Sequence, residues 1–226
     1  MKIIFIPGLL CTPHVWGELN AVREKYLCHD ADVSSFDSIE KMADAIIHHI
    51  TDEDIALIGF SMGGYVAIEV ALKMKNKINK LVLINTTANS VNPATISDRQ
   101  KAIKFAQRGM MSEILKLSNG ISYYKSQKEW LLLEEKMANE VGTESYIRQQ
   151  NAIIHRNNYM NLIQNICTET LIISGKNDQV ISYKDSICMF ENISNSNLIL
   201  LDKCGHLSTL EKSKMVANSI ATFLKT

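Results

Sequence analysis

Residues 54–75 read DIALIGFSMGGYVAIEVALKMK, and the character of the sequence changes twice within them. The stretch starts as an apolar run and passes through glycines around a serine. It continues with Met62, Val66, Val70 and Met74 at helical spacing, and Glu69 and Lys73 stand four apart on another face, in the order that favours an ion pair. A continuous apolar run reads as a strand covered on both faces, and the periodic run reads as a helix. Gly59-Phe60-Ser61-Met62-Gly63 therefore fits G-x-S-x-G at a strand-to-helix junction. Reversing the chain within a few bonds strains the serine backbone at a cost of roughly 1–3 kcal/mol and requires small neighbours. The turn would lift the Ser61 hydroxyl clear of the sheet. It would also aim the Met62 amide, at the positive end of a new helix, toward developing negative charge. A nucleotide-binding turn fits poorly, because G-x-G-x-x-G needs glycine where Ser61 stands and no G-x-x-x-x-G-K-[ST] occurs.

Other short apolar runs end in turns at Lys2–Gly8, Lys80–Thr87, Thr170–Asp178 and Asn197–His206, with a weaker one at His29–Ser35. Ser38–Ile50 and Leu210–Leu224 read as helices. Alternation of strand and helix predicts an α/β fold with a mostly parallel sheet flanked by helices. Between Ala88 and Cys167 the pattern changes, and the segments 97–117, 128–141 and 143–155 all read as helix. Ser97 has the character of an N-cap, and Gly109, Gly120 and Gly142 act as stops. The expected organisation is a core of residues 1–87 and 168–226 with a helical cap, residues 88–167, inserted between two strands.

Composition narrows the function classes. The 226 residues are 46% apolar and 21% charged, and 24 Lys and Arg balance 24 Asp and Glu. That balance gives no basic field for nucleic acid or an anionic membrane. No apolar run is long enough to span a bilayer. The opening MKIIFIPGLL reads as a buried strand, because Pro7-Gly8 interrupts it too early for a signal peptide. Five scattered cysteines without a C-x-x-C pair indicate neither a disulfide framework nor a zinc cluster; reduced thiols and a cytoplasmic location are the expectation.

A serine nucleophile needs a base, and the base needs an orienting acid. With an elbow serine the order along the chain is Ser, acid, His. His14, His29, His48 and His49 precede Ser61, and His155 lies in the expected cap as a surface or packing residue. His206 remains, in a glycine-bearing loop after the last strand. Asp178 follows the preceding strand directly and is the chosen acid. Asp202 is its rival, and the strand end Asn85-Thr86-Thr87 offers no carboxylate.

From PGLLCTPHVW through GFSMGG and GKNDQVI to CGHLSTLE, the chain resembles the α/β-hydrolases, in particular the small esterase, enol-lactonase and cofactor-free perhydrolase branch. The resemblance implies that the loop after the first strand supplies a second oxyanion amide, here that of Leu9, beside Met62. Relatives commonly carry His-Gly before that residue. This chain has Pro7-Gly8, so the support of the loop must differ. With no leading hairpin before the first strand, a sheet of about six strands is expected. The implied activity is hydrolysis of a small ester, thioester or lactone by Ser61, Asp178 and His206, without metal or cofactor. Acyl transfer, perhydrolysis and lyase chemistry occur on the same scaffold, and a low-turnover binding protein is the alternative of another class.

Other features have plainer readings. Cys11, near Leu9, reads as a buried, inert thiol and Trp16 as a core anchor. Met110, Met111, Tyr123, Tyr124 and Trp130 are candidates for the walls of a pocket. Arg148 and Arg156 are candidates for holding a substrate carboxylate, against the plainer reading of two solvated side chains.

Overall fold

The computed structural model describes residues 1–51 and 54–225. Its six strands are β1 (Lys2–Ile6), β2 (Leu27–Asp30), β3 (Ile55–Phe60), β4 (Ile78–Ile84), β5 (Glu169–Gly175) and β6 (Ser196–Leu201). They form one sheet in the order β2-β1-β3-β4-β5-β6, and every neighbouring pair is parallel. The helices are α1 (Asn20–Arg23), α2 (Ile39–His48), α3 (Met62–Met74), α4 (Pro93–Gln107), α5 (Met111–Asn119), α6 (Lys128–Val141), α7 (Thr143–Ile154), α8 (Tyr183–Asn192), α9 (Ser208–Glu211) and α10 (Ser213–Phe223).

The central strands read as continuous apolar runs because each face has its own cover. Ile4, Ile6, Ile55 and Leu57 join residues of α2, α3 and α8 in one core. Ile3, Phe5, Ala56, Ile58 and Phe60 join Trp16 and the α10 residues Val216, Ala217 and Ile220 in a second. A period of two is thus present in each strand, hidden because both faces are apolar. Trp16 is buried at 5.1 Å from the Phe5 ring.

Four consecutive helices, α4 to α7, separate β4 from β5. Ala106, Ile114 and Tyr146 make a small core of their own, and Leu9 and Leu10 of the loop after β1 pack against it. That contact joins the helical segment to the sheet beside the C-terminal strand ends, where ligands bind in open parallel sheets. No helix among the described residues is long and apolar enough to cross a membrane.

Three local expectations need correction. The weak run at His29–Ser35 is strand only at its start, since β2 covers Leu27–Asp30 at the sheet edge. Helix α4 begins at Pro93 rather than after Ser97; the Asn92 side chain caps it by accepting from the Ala94 amide at 3.0 Å. Proline suits the first helical turn, because its missing N–H would have no partner there. The final helix is split into α9 and α10, with Lys212 outside helical geometry between them.

Candidate active site

Ser61 sits between the end of β3 and the start of α3 with φ 52° and ψ −116°. Few non-glycine residues tolerate this conformation, and neighbouring contacts hold it in place. The Ser61 amide donates to the Ile84 carbonyl at 2.9 Å, and the Thr86 hydroxyl donates to the Ser61 carbonyl at 2.8 Å. A side chain at Gly63 would place its Cβ 2.0 Å from the Ile6 carbonyl oxygen and 2.6 Å from that of Pro7. The glycine is therefore a steric requirement of the turn against β1.

The loops after β5 and β6 meet Ser61 from the other side. Asn177 donates from its amide to the Cys204 carbonyl at 2.9 Å. A Cβ on Gly175 would lie 2.4 Å from the carbonyl oxygens of both Cys204 and Gly205. These two loops deliver Asp178 and His206. His206 Nε2 lies 2.9 Å from Ser61 Oγ, and its Nδ1 lies 2.8 Å from Asp178 Oδ2. An ionised carboxylate only accepts, so Nδ1 carries the proton toward Asp178 and Nε2 is left to accept from the serine hydroxyl. The imidazole is also fixed by the Phe60 ring at 5.4 Å.

Asp178 has a fully buried side chain. Burial alone would raise its pKa. The charge and hydrogen bond of His206, with the Ile181 amide and Asn85, outweigh that effect and hold it below the ordinary value. Its Oδ1 accepts from the amides of Val180 at 2.8 Å and Ile181 at 2.9 Å, while Asn85 Nδ2 donates to Oδ2 at 2.9 Å. Asp202 points elsewhere: it pairs with Lys176 at 2.7 Å at the surface. Asn85 stands at the end of β4, where the sequence offers no carboxylate, and it orients the one that Asp178 provides. It is fully buried and also accepts from the Ser208 hydroxyl.

Leu9 and Met62 flank Ser61 from two chain segments. Met62 is the first residue of α3 with its side chain in the core, and Leu9 lines the same cavity as Ser61 and His206. Neither amide donates to an acceptor among the described residues. The next residue, Leu10, has φ 55° and donates from its amide to Gln149 Oε1 on α7 at 3.0 Å. Gln149 is fully buried. It supplies the support for this loop that the Pro7-Gly8 sequence left open. Cys11 is half-buried and its thiol donates to the Leu9 carbonyl at 3.3 Å. Burial, reinforced by the Glu134 carboxylate, pushes its pKa up to about 12, so it stays a thiol.

The cavity holds about 250 Å³. Its walls are mainly apolar, with Ile114, Leu115, Met137 and Ile153 from the helical segment and Val180 and Leu207 from the strand-end loops. None of Met110, Met111, Tyr123, Tyr124 and Trp130 is among its lining residues. Tyr123 instead stacks on Trp130 at 5.3 Å, Tyr124 is exposed, and Met111 packs against the small helical core. Arg148 and Arg156 are tied to the protein. Arg148 donates to the Ser34 carbonyl and the Ser145 hydroxyl, and Arg156 donates to the carbonyls of Asn89, Ser90 and Ile153. The polar groups that do line the cavity include Arg99, Gln150, Ser122 and Glu134. Burial pushes Glu134 up to about 7, opposed by the nearby hydroxyls of Tyr123 and Ser122 and by the charge of His206.

A sequence model described as "alpha/beta hydrolase fold" matches residues 7–213. The chain is similar to the 2-hydroxy-6-oxononadienedioate/2-hydroxy-6-oxononatrienedioate hydrolase 1 of Pseudomonas putida, 26% identical over 76% of this chain and 63% of that protein. This chain therefore spans less than two thirds of that relative's length. It is also similar to the pimeloyl-[acyl-carrier protein] methyl ester esterase of Nitrosospira multiformis, 23% identical over 92% of this chain and 76% of that one. Among solved structures, a thermophilic esterase from Thermogutta terrifontis superposes with a TM-score of 0.89, covering 100% of this chain and 89% of the other at 19% identity. At that identity the likeness is one of fold.

Proposed function

This chain belongs to the alpha/beta hydrolase fold family, and on that premise we propose that it is a serine hydrolase acting on a small carboxylic ester, thioester or lactone. The observation that carries this reading is the unbroken hydrogen-bonded run from Ser61 Oγ through His206 to the buried carboxylate of Asp178. In the proposed mechanism Ser61 Oγ attacks the carbonyl carbon while its proton passes to His206 Nε2. Asp178 holds the opposite ring proton and offsets the imidazolium charge. The carbonyl oxygen becomes an oxyanion facing the amides of Leu9 and Met62, the latter at the positive end of α3. Collapse breaks the bond to the alcohol or thiol, which leaves with the proton from Nε2. Water then gives a proton to Nε2 and attacks the acyl-enzyme, releasing the acid and restoring Ser61. Every step uses protein groups and water.

The strained turn at Ser61 supports the reading, because such strain is retained where it exposes a reacting atom. A fluorophosphonate probe tests it together with turnover of 4-nitrophenyl esters. One adduct on Ser61 is expected, with ester turnover that falls by at least ~10³-fold in Ser61→Ala while the variant stays folded. Absence of both labelling and turnover in the wild type, or retention of most activity by Ser61→Ala, would overturn the assignment.

A further inference from the structure

We infer that Arg99 is an anchor for a carboxylate carried by the substrate, so that the preferred substrate joins a reacting carbonyl to a free carboxylate through a short apolar spacer. This rests on the hydrolase reading for its chemistry and on separate observations for its site. Arg99 stands on α4 and lines the same cavity as Ser61 and His206. Its Nε is buried and has no hydrogen-bond partner among the described residues. One Nη donates to Gln150 Oε1 at 2.8 Å, and no carboxylate among the described residues forms an ion pair with it. Arg99 is half-buried, but its Nε is closed to solvent without an acceptor, an arrangement that an anion arriving with the ligand would offset.

The surroundings hold Arg99 in place without neutralising it. Gln150 Nε2 donates to the Tyr146 hydroxyl at 2.8 Å, and both residues are buried. The acceptor oxygen of Gln150 is thereby fixed toward Arg99. The second nearby guanidinium, Arg156, spends its donors on three backbone carbonyls and lies 4.4 Å from the Tyr65 ring centroid. It adds positive potential and leaves Arg99 as the cation facing the cavity. Glu134 also lines the cavity, but it stands on α6, and the charged group that bears on it is His206 rather than Arg99. Arg99 and Ser61 share a cavity whose walls are mainly apolar, with Leu9, Ile114, Leu115 and Ile153 among them. An apolar chain with a terminal carboxylate fits a mainly apolar cavity that holds one guanidinium and the serine, and the guanidinium fork matches a planar carboxylate in two parallel hydrogen bonds.

The test compares 4-nitrophenyl hemiesters of adipate and suberate with 4-nitrophenyl esters of the methyl-terminated acids of equal length. The wild type should favour the carboxylate-terminated esters by about tenfold or more in kcat/KM. Arg99→Gln should erase that preference by lowering kcat/KM for the hemiesters about tenfold or more, with the neutral esters within about twofold. Arg99→Lys should restore part of it, since a point charge replaces the fork. A measurement without any variant accompanies these: free adipate should slow fluorophosphonate labelling of Ser61 in the wild type more strongly than hexanoate does. Equal turnover of the two ester series, equal loss of both in Arg99→Gln, or equal protection by the two acids would overturn the proposal. Neutral-ester turnover that is lost in Ser61→Ala would leave the hydrolase reading standing in each of those outcomes.

Discussion

At the scale of single residues, the site depends on what each polar group is allowed to touch. Asp178 accepts four hydrogen bonds, from two amides, Asn85 and His206, and its side chain meets no water. Asp202, only four residues from His206 in sequence, spends its charge on Lys176 in solvent. Asp178→Asn should therefore lower kcat by ~10³-fold or more, because an amide opposite Nδ1 favours the wrong imidazole tautomer. Asp202→Asn should change it by less than about twofold, since an exposed pair contributes little. Steady-state kinetics of the two variants on one 4-nitrophenyl ester decides between them, and a larger loss in Asp202→Asn would exclude Asp178 as the acid. That Ser61, Asp178 and His206 meet was legible in the sequence for a local reason: each follows an apolar run that ends abruptly, and parallel strands bring such ends to one edge. Asn85 stands at an equivalent strand end, where an amide gives no sequence signal for the acid of a triad. Its amide does the orienting instead.

At the scale of elements, the helical segment and the sheet meet at a hydrogen bond that no local pattern reveals. Gln149 lies on α7, about 140 residues from Leu10, and accepts its amide hydrogen at 3.0 Å. Leu10 has a positive φ, so the loop that carries the Leu9 amide is strained, and the buried Gln149 oxygen is one of the contacts that hold it. Gln149→Leu keeps the volume and removes the acceptor. If the Leu9 amide faces the oxyanion as proposed, the substitution should lower kcat by about 10-fold to 100-fold, with KM for a neutral ester within about threefold. Affinity for a boronic acid that mimics the tetrahedral adduct should fall with kcat, while affinity for a product acid should not. A loss shared equally by both ligands would make Gln149 a packing residue only. The same distance in sequence explains what was missed elsewhere. Helical periodicity locates α4 and α7, but the register that turns Arg99 and Gln150 inward is chosen by packing between helices and against Leu9 and Leu10. For that reason the sequence points to Met110, Met111, Tyr123, Tyr124 and Trp130 for the cavity walls and not to Ile114 and Ile153, which line it. The start of α4 was within reach, since Asn92-Pro93 is a cap followed by a first-turn proline.

At the scale of the whole molecule, the site leaves a signature in how stability depends on pH. Formal charges balance at pH 7, so self-repulsion is weak and individual buried groups can show through. Two of them act in opposite directions. Asp178 has its pKa held below the ordinary 3.8 when folded, so its contribution is present above that value and is lost as pH falls through the folded pKa. Glu134 is raised from 4.5 to about 7. Below 4.5 both folded and unfolded chains hold its proton, and it contributes no penalty. Between 4.5 and about 7 the unfolded chain releases that proton first, so stability declines with rising pH and the full cost is reached above 7. Tyr123, Ser122, Cys11 and His206 are among the groups facing it, and of these His206 alone favours the carboxylate through a positive charge. Glu134→Gln removes the titration while keeping the size and a hydrogen-bonding amide. Equilibrium urea denaturation should show this variant on the order of 2 kcal/mol more stable than the wild type at pH 8, with little difference at pH 4.5. The Asp178 contribution cancels in that comparison, because both proteins contain it. A stability difference that stays constant across this range would mean that the cavity does not hold Glu134 in its protonated form, and that its walls are wetter than their apolar lining implies.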